Sequence, residues 1–581
     1  MKILLLHSED DPENGPWSDR AWDRIVDVGL GGLHTYERWS RRFRCPATTL
    51  SALHPGFDDF RRVRRLMDLG CARLVDEHGL DWWELLSMLL HVELEMLILL
   101  QHFVLTLGPE DEVYVSRPGP HANLLQGLLG TRVRVFPWRR GTRGLQRYVR
   151  VLRRLSTSQI IDVCCDKYDL GYQFRGRLVR RPPPSTRPVV LLPTAYVNVS
   201  RTGIAYANTF PQEKFLLVAT RRSGWLQGLP ANMAPRRLSM YASLRDRSDE
   251  NAEIASRWRS LRKELEGTAE FEVLSRRGYL DKFQLWLRHG FEVRDAWRNV
   301  LDTEPVQAVL CSDDSNPFTR MPLLLAQARG LPNIACHHGA VDGRYFFKRS
   351  YGDVVWAKGK MEEDYLVAKC GVPRERVEIA APALPANWNV WKQSKPKSSR
   401  PNILFISEPV DVAGGRPEEF YRDILPGLAD LALATGRKLI VKLHPIESQN
   451  ERVSTVARVL SSRQKDAVQI VTGPLTEDLL SQTWFGVTVL STAAVECAVR
   501  GIPCFLCQWL NFSPYGYQEQ FLRFGVGIRL KSPSEIDKIP QYLSQNSASP
   551  DLSRNWWQPA APGRLRELVA SYQGPCAAAT G

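Results

Sequence analysis

Several features that would settle a function class outright are missing from this 581-residue chain. It has no disulfide framework: eleven cysteines are an odd number and their spacings follow no pattern, so free thiols in a reducing compartment are expected. The lone CxxC, Cys504 and Cys507 in GIPCFLCQW, lies in an apolar strand-like run and not at a helix start, which reads as buried structural cysteine. It has no clean membrane span. The run at 85–107 (LLSMLLHVELEMLILLQHFVLTL) is interrupted by His91, Glu93, Glu95 and His102, and reads as a buried core helix. The opening MKILLLHSEDD has too few apolar residues for a signal-peptide core and reads as a first strand. No repeat of solenoid length is found. A cytoplasmic globular protein is the expectation, with peripheral attachment to an inner membrane left open.

What is present is length, ordinary composition and positive charge. A chain of this size is too long for one core and suggests two domains or three. Apolar residues make up 44% and charged residues 24%, which places it among globular proteins. The net charge of +14 attracts polyanions: nucleic acid, anionic lipid or phosphorylated substrates. It is concentrated at 132–154 (RVRVFPWRRGTRGLQRYVRVLRR), with nine arginines and no acid. That segment reads either as a solvated basic surface or as a patch for anionic headgroups. No zinc-finger spacing, RNP-like string or basic zipper accompanies it, so a nucleic-acid partner is not expected.

Strand-like runs alternate with helical stretches along the chain: RIVDVGL, EVYVSRP, RVRVFP, IIDVCC, PVVLLP, KFLLVAT, AVLCSDD, PNIACHHG and VVWAKG. Such alternation predicts parallel sheets with helices on both faces, an α/β class. Near 386–401 the text becomes NWNVWKQSKPKSSRP, polar and without period, a linker. The alternation then restarts with NILFISE, KLIVKLHP, AVQIVTG, GVTVLS and PCFLCQW. The expected domains are therefore 1–385, Rossmann-like with a helical insertion, the linker 386–401, and a Rossmann-like domain at 402–581. The charged segment 235–267 is read as that insertion, exposed to solvent.

Two stretches of the last domain carry the chemistry. IVKLHPIES (440–448) ends a strand on His444 and Pro445. Proline fixes φ and stops the strand, so the imidazole stays at the rim, where doubly wound sheets bind ligands; Lys442 adds charge. The other reading of His444 is a residue that merely caps the sheet. GVTVLSTAAVECAVRGIP (486–503) is a strand, then Ser491 and Thr492, then a helix. The hydroxyls suit an N-cap, and the same place attracts anions. Glu496 lies one turn beyond Thr492 and could accept ribose hydroxyls. Gly501 and Pro503 stop the helix. Together the two stretches read as one nucleotide-phosphate pocket.

In these motifs (KLHP, then strand-Ser-Thr-helix-Glu, then GIP) the chain resembles the donor domain of GT-B-fold glycosyltransferases. Its nearest likeness is to bacterial surface-polysaccharide enzymes: polysialyltransferases, Kdo-transferases and the CDP-glycerol glycerophosphotransferases. The resemblance spans roughly 300–510. A strand ending in His337-His338-Gly339 stands where those families have Gln-His-Gly, which matches the position of His338 and leaves the role of His337 open. The resemblance implies two Rossmann-like domains facing across a cleft, with His444, Ser491 and Thr492 holding the donor phosphate. It implies a nucleotide-activated sugar as substrate, CMP- or CDP-linked by preference, and no cofactor. The acceptor would be a glycan or a lipid-linked molecule. An inverting transfer needs a general base, for which Asp313, Asp314 and His338 are the candidates; the Asp pair reads equally well as a helix N-cap. No metal site is expected, since dipoles and basic side chains can stabilise a leaving phosphate.

Two other readings compete. A non-hydrolysing UDP-sugar 2-epimerase shares the fold, but its Ser-Gly-Gly-x-x-Glu-Glu pattern is replaced here by STAAVE. A non-catalytic protein that keeps the two-domain shell is the alternative from another class. Near the N-terminus, Gly29, Gly31 and Gly32 in RIVDVGLGGLH lack the third glycine of a dinucleotide fingerprint and read as a tight turn.

Overall fold

The computed structural model describes residues 1–7, 10–29, 33–53, 57–137, 182–226, 228–242, 248–312, 316–339, 343–349, 351–383, 400–410, 415–445, 447–510, 516–545 and 556–572. Eighteen strands among them form three sheets, all of whose strand pairs are parallel. The first sheet holds β1 (Lys2–Leu6), β2 (Arg24–Asp27), β3 (Ala47–Thr49), β4 (Glu112–Val115) and β5 (Val133–Val135), in the order β3-β2-β1-β4-β5. The second holds β6 (Val189–Thr194), β7 (Phe215–Ala219), β8 (Met233–Arg237), β9 (Val306–Cys311), β10 (Asn333–Cys336), β11 (Val354–Ala357) and β12 (Val377–Ile379). Its order is β12-β11-β10-β9-β6-β7-β8. The third holds β13 (Asn402–Ile406), β14 (Lys438–Lys442), β15 (Val468–Val471), β16 (Thr483–Thr488), β17 (Cys504–Cys507) and β18 (Ile528–Leu530), in the order β15-β14-β13-β16-β17-β18.

All three orders follow one rule. The chain starts in mid-sheet, adds two strands outward on one side, then crosses back and builds the other side. This is the doubly wound, Rossmann-like arrangement, and the crossover defines a switch point beyond the carboxyl ends of the first and fourth strands. The α/β class expected from the sequence is therefore present. It comprises three sheets and not two, because the segment 1–385 contains both the first and the second.

Burial explains why these runs become strands. In the third sheet, β13 (NILFI) and β17 (CFLC) are buried along their whole length, whereas the edge strands β15 and β18 are half exposed. Interior strands covered on both faces need continuous apolar runs. Cys504 and Cys507 fall in β17 as buried free thiols, as their setting in the sequence predicted.

The chain divides into two compact units. One comprises Met1–Asp59, Met96–Trp138 and Pro385–Trp556, and so contains the first and third sheets. The other comprises Phe60–Glu95, Arg139–Leu384 and Trp557–Gly581, with the second sheet. The last described helix, Arg564–Ser571, belongs to this second unit: Leu565 and Leu568 enter the core of the second sheet and Arg564 pairs with Glu378 of β12.

Two expectations need correction. The segment 235–267 is not an exposed insertion. Its helix Ser248–Leu265 buries Ile254, Trp258, Leu261 and Leu265, and the Trp258 ring stacks on Phe283 at 4.1 Å and on Trp83 at 6.1 Å. The apolar run at 85–107 is not one helix but two, Trp82–Ser87 and His91–Leu105, the first capped by the Asp81 carboxylate. Burial pushes the Glu93 carboxyl up, and Lys282 lies 3.9 Å away. No helix among the described residues is long and apolar enough to cross a membrane. The bulk of the basic segment 132–154, IIDVCC and nearly all of the linker 386–401 lie outside the described residues.

Candidate active site

The third sheet places the two sequence-marked stretches on either side of its first strand. β14 and β16 both pair with β13, so their carboxyl ends stand roughly 10 Å apart, two strand spacings. His444 leaves the end of β14 and Ser491 and Thr492 follow β16, both at the edge where the strand order reverses. Burial pushes the Glu496 carboxyl up, against the pull of the Arg500 charge and, more weakly, of Lys442.

The His444 turn is fastened by a carboxylate. The His444 backbone N–H donates to Glu447 Oε2 at 2.7 Å, and the Glu447 N–H returns to the His444 carbonyl at 3.0 Å. Glu447 Oε1 accepts from Ser407 Oγ (3.0 Å), Tyr421 Oη (3.3 Å) and Arg452 Nε (2.7 Å), with both Glu447 and Arg452 side chains buried. Burial and the neighbouring Lys442 charge push the His444 imidazole below its ordinary range, so it is neutral at pH 7 and offers one N–H donor. Lys442 is buried and donates from Nζ to the Leu443 carbonyl.

The Ser491–Thr492 turn has its own carboxylate. Glu408, two residues past β13, accepts through Oε1 from Thr488 Oγ1 (3.1 Å), Val489 N (3.2 Å) and Leu490 N. Ser491 Oγ accepts from the Ala493 N–H at 3.3 Å, while Thr492, at the N-cap position, makes no side-chain cap bond. The helix that follows, Ala493–Val499, has seven residues. Its field is weak, so any hold on an anion falls to side chains more than to the dipole invoked from the sequence. Gly501 ends it at φ +66 with the Ile502 N–H on the Cys497 carbonyl and the Gly501 N–H on Ala498, the helix stop that the sequence predicted. Gln518 closes the edge further along, donating from Nε2 to the Val489 and Cys507 carbonyls.

In the second unit, His337 and His338 follow β10. The two rings stack at 4.6 Å, and His338 meets the Tyr196 ring edge-on at 5.5 Å. His338 Nδ1 lies 3.3 Å from the Ser312 carbonyl, which can only accept, so Nδ1 carries a proton. His337 is different. Its Nδ1 accepts from the Gly339 N–H at 3.2 Å, and complete burial holds its pKa well below the ordinary value. It stays neutral and supports its own turn. Lys358, at the end of β11, ties that turn with bonds to the His337 carbonyl (2.7 Å) and the Gly339 carbonyl (2.9 Å). Asp313 and Asp314 lie outside the described residues. Near the N-terminus, Gly29 donates to the Asp27 carboxylate at 2.9 Å, a local turn; Gly31 and Gly32 lie outside the described residues.

Sequence reasoning missed Glu408, Glu447, Ser407 and Lys358. The available signal was a polar residue directly after an apolar strand, as in NILFISE and VVWAKG. Among the described residues no group of three His, Cys, Asp or Glu side chains is placed to hold a metal ion.

No family model matches the chain, and no curated protein matches it. Several solved structures are similar at low identity. The UDP complex of S. aureus MnaA shares 11% identity, covering 66% of this chain and 95% of that chain at a TM-score of 0.40. CalG4, the calicheamicin glycosyltransferase, shares 13%, covering 68% and 96% at 0.36. A variant of the wall teichoic acid polymerase TagF shares 10%, covering 67% and 88% at 0.37.

Proposed function

We propose that the chain is a GT-B transferase that moves a sugar, or a polyol phosphate, from a nucleotide-activated donor to a surface glycan or lipid-linked acceptor. The observation that carries this reading is the carboxyl edge of the third sheet. There a cation, Lys442, a neutral imidazole, His444, and two hydroxyls, Ser491 and Thr492, flank the first strand at the switch point.

In this reading Lys442 supplies charge to the donor phosphate, and Pro445 keeps His444 at the rim. His444, Ser491 and Thr492 donate hydrogen bonds, and Glu496 takes a ribose hydroxyl. These groups stabilise the negative charge that grows on the phosphate as the bond to the transferred group breaks. The acceptor oxygen attacks that group as its proton passes to a base. His338 suits the base role, because with Nδ1 donating to the Ser312 carbonyl a neutral ring accepts a proton at Nε2; Asp313 and Asp314 are the other candidates. The reaction so drawn is inverting and uses no metal. The motif resemblance favours a cytidine nucleotide, and the basic segment 132–154 would favour an anionic acceptor or membrane surface in the cell envelope.

The test is a thermal-stability titration with CMP, CDP, UDP, GDP and ADP, for the wild type and His444→Ala. A nucleotide at 100-fold excess over its Kd should stabilise the fold by about 2.7 kcal/mol. One nucleotide should do so for the wild type, and the folded variant should lose the effect. Absence of any stabilisation in the wild type removes the reading in favour of a non-catalytic shell.

A further inference from the structure

We propose that Ser407 and Glu408, the two residues that follow β13, are positioning residues that set the spacing between the His444 turn and the Ser491–Thr492 turn. The inference rests on the donor-site reading above and adds to it the groups on which phosphate recognition depends without touching the ligand.

β13 runs between β14 and β16, so residues at its end are placed to reach both turns. Ser407 reaches the β14 side. Its N–H continues the ladder to the Lys442 carbonyl at 2.9 Å, and its hydroxyl bonds Glu447 Oε1 and Tyr421 Oη (2.7 Å). Glu447 in turn holds the His444 N–H. Glu408 reaches the β16 side, where one carboxylate oxygen collects the Thr488 hydroxyl and the N–H groups of Val489 and Leu490. Successive residues of an extended chain send their side chains to opposite sides, which lets one dipeptide serve two loops.

Both carboxylates are shielded from water. Glu447 pairs with the buried Arg452. Among the described residues, Glu408 is held by a hydroxyl and backbone N–H groups. Such an arrangement is wasteful as simple core filling, since an apolar residue would fit without a desolvated carboxylate. It is useful where backbone must be held to a fixed geometry. Groups that meet a phosphate must be placed to within about half an ångström, and supporting hydrogen bonds behind them provide that.

The test compares the wild type, His444→Ala, Glu408→Ala, Glu408→Gln and Ser407→Ala by calorimetric titration. The probes are the nucleoside diphosphates CDP, UDP, GDP and ADP, each with its parent nucleoside. Glu408→Ala should weaken diphosphate binding at least tenfold and change nucleoside binding by less than twofold. Glu408→Gln keeps an amide oxygen for the same donors and should recover part of the loss. Ser407→Ala removes one hydroxyl and should weaken the diphosphate alone by about threefold; it stands in for Glu408→Ala if that variant does not fold. A purely structural role would move both ligands together or neither, and that result overturns the inference. If His444→Ala loses the diphosphate while the Glu408 and Ser407 variants keep it, the donor reading stands and this inference falls. If the wild type binds no diphosphate, both fall.

Discussion

Arg416 joins the first and third sheets, and its removal should be costly. The residue stands at the start of the helix Pro417–Ala434, beside the third sheet. Its guanidinium donates from Nε and Nη2 to the two oxygens of Asp27, at 3.1 and 3.2 Å, at the end of β2. It also bonds the His7 and Asp10 carbonyls after β1 and lies 5.0 Å from the centre of the Trp39 ring. Asp27 is fully buried and Arg416 nearly so. Arg416→Ala therefore strands a buried carboxylate, a change that costs about 3–5 kcal/mol when one partner of such a pair is removed. Asp27 keeps two donors, the Gly29 N–H and Tyr36 Oη, which argues for the lower half of that range. Asp27→Asn in the Arg416→Ala background should cost less than the sum of the single changes, with a coupling of at least about 1 kcal/mol. Urea titration gives the stabilities. Hydrogen exchange gives the location, since the amides of β1 and β2 should lose protection before those of β13 and β14. A cost below about 1 kcal/mol, or strict additivity, refutes the reasoning.

Three further outcomes follow from the same packing. Burial pushes Glu419, one turn beyond Arg416, up to about 7 from an ordinary 4.5. The folded state thus binds more protons than the unfolded one between those values, so this group's stabilisation is full below about 4.5 and is lost as pH rises through 7, by up to about 3 kcal/mol. Burial pushes His121 down to about 4 from 6.5, so its contribution runs the other way and is lost as pH falls through that window. The two contributions oppose each other between about pH 4.5 and 6.5, so Glu419→Gln should remove the loss with rising pH and leave a stability that climbs through that window, as measured by urea midpoints across pH. In the second unit, Trp258→Ala should cost about 3–5 kcal/mol in denaturant titrations, because its ring is fully buried between Phe283 and Trp83; a solvent-facing helix would lose under 0.5 kcal/mol.

The strands were legible in the sequence because each is a short apolar run between turn residues. The number of sheets was not. MKILLL, RIVD, EVYV and RVRV are plain as strands, yet nothing local distinguishes a strand that pairs with β1 from one that pairs with β6. The charged helix near 250 was misread because its arginines and acids dominate the composition. Its apolar residues Ile254, Trp258, Leu261 and Leu265 nevertheless recur at helical spacing, and that period was the better guide. At the candidate site, the residues that end strands were legible, whereas their supports were not. Glu408 meets Leu490 across 82 positions and Ser407 meets Glu447 across 40. An acid after a strand reads as loop polarity until its distant partner is known.

Topology alone nominates three carboxyl edges as binding places, since all three sheets share one strand order. The side chains separate them. In the first sheet, Asp10 bonds Ser116 and Arg117 between the ends of β1 and β4, and Arg416 occupies the ends of β1 and β2. The chain's own charges fill that edge and satisfy one another. The second sheet carries His338 with its proton fixed toward the protein, and the third carries His444 and two hydroxyls on turns whose buried carboxylates face backbone. Polar groups spent on each other make a scaffold, and polar groups braced from behind leave chemistry for a ligand. By that criterion the first sheet supports the third, and an Arg416 variant should change stability before it changes nucleotide binding.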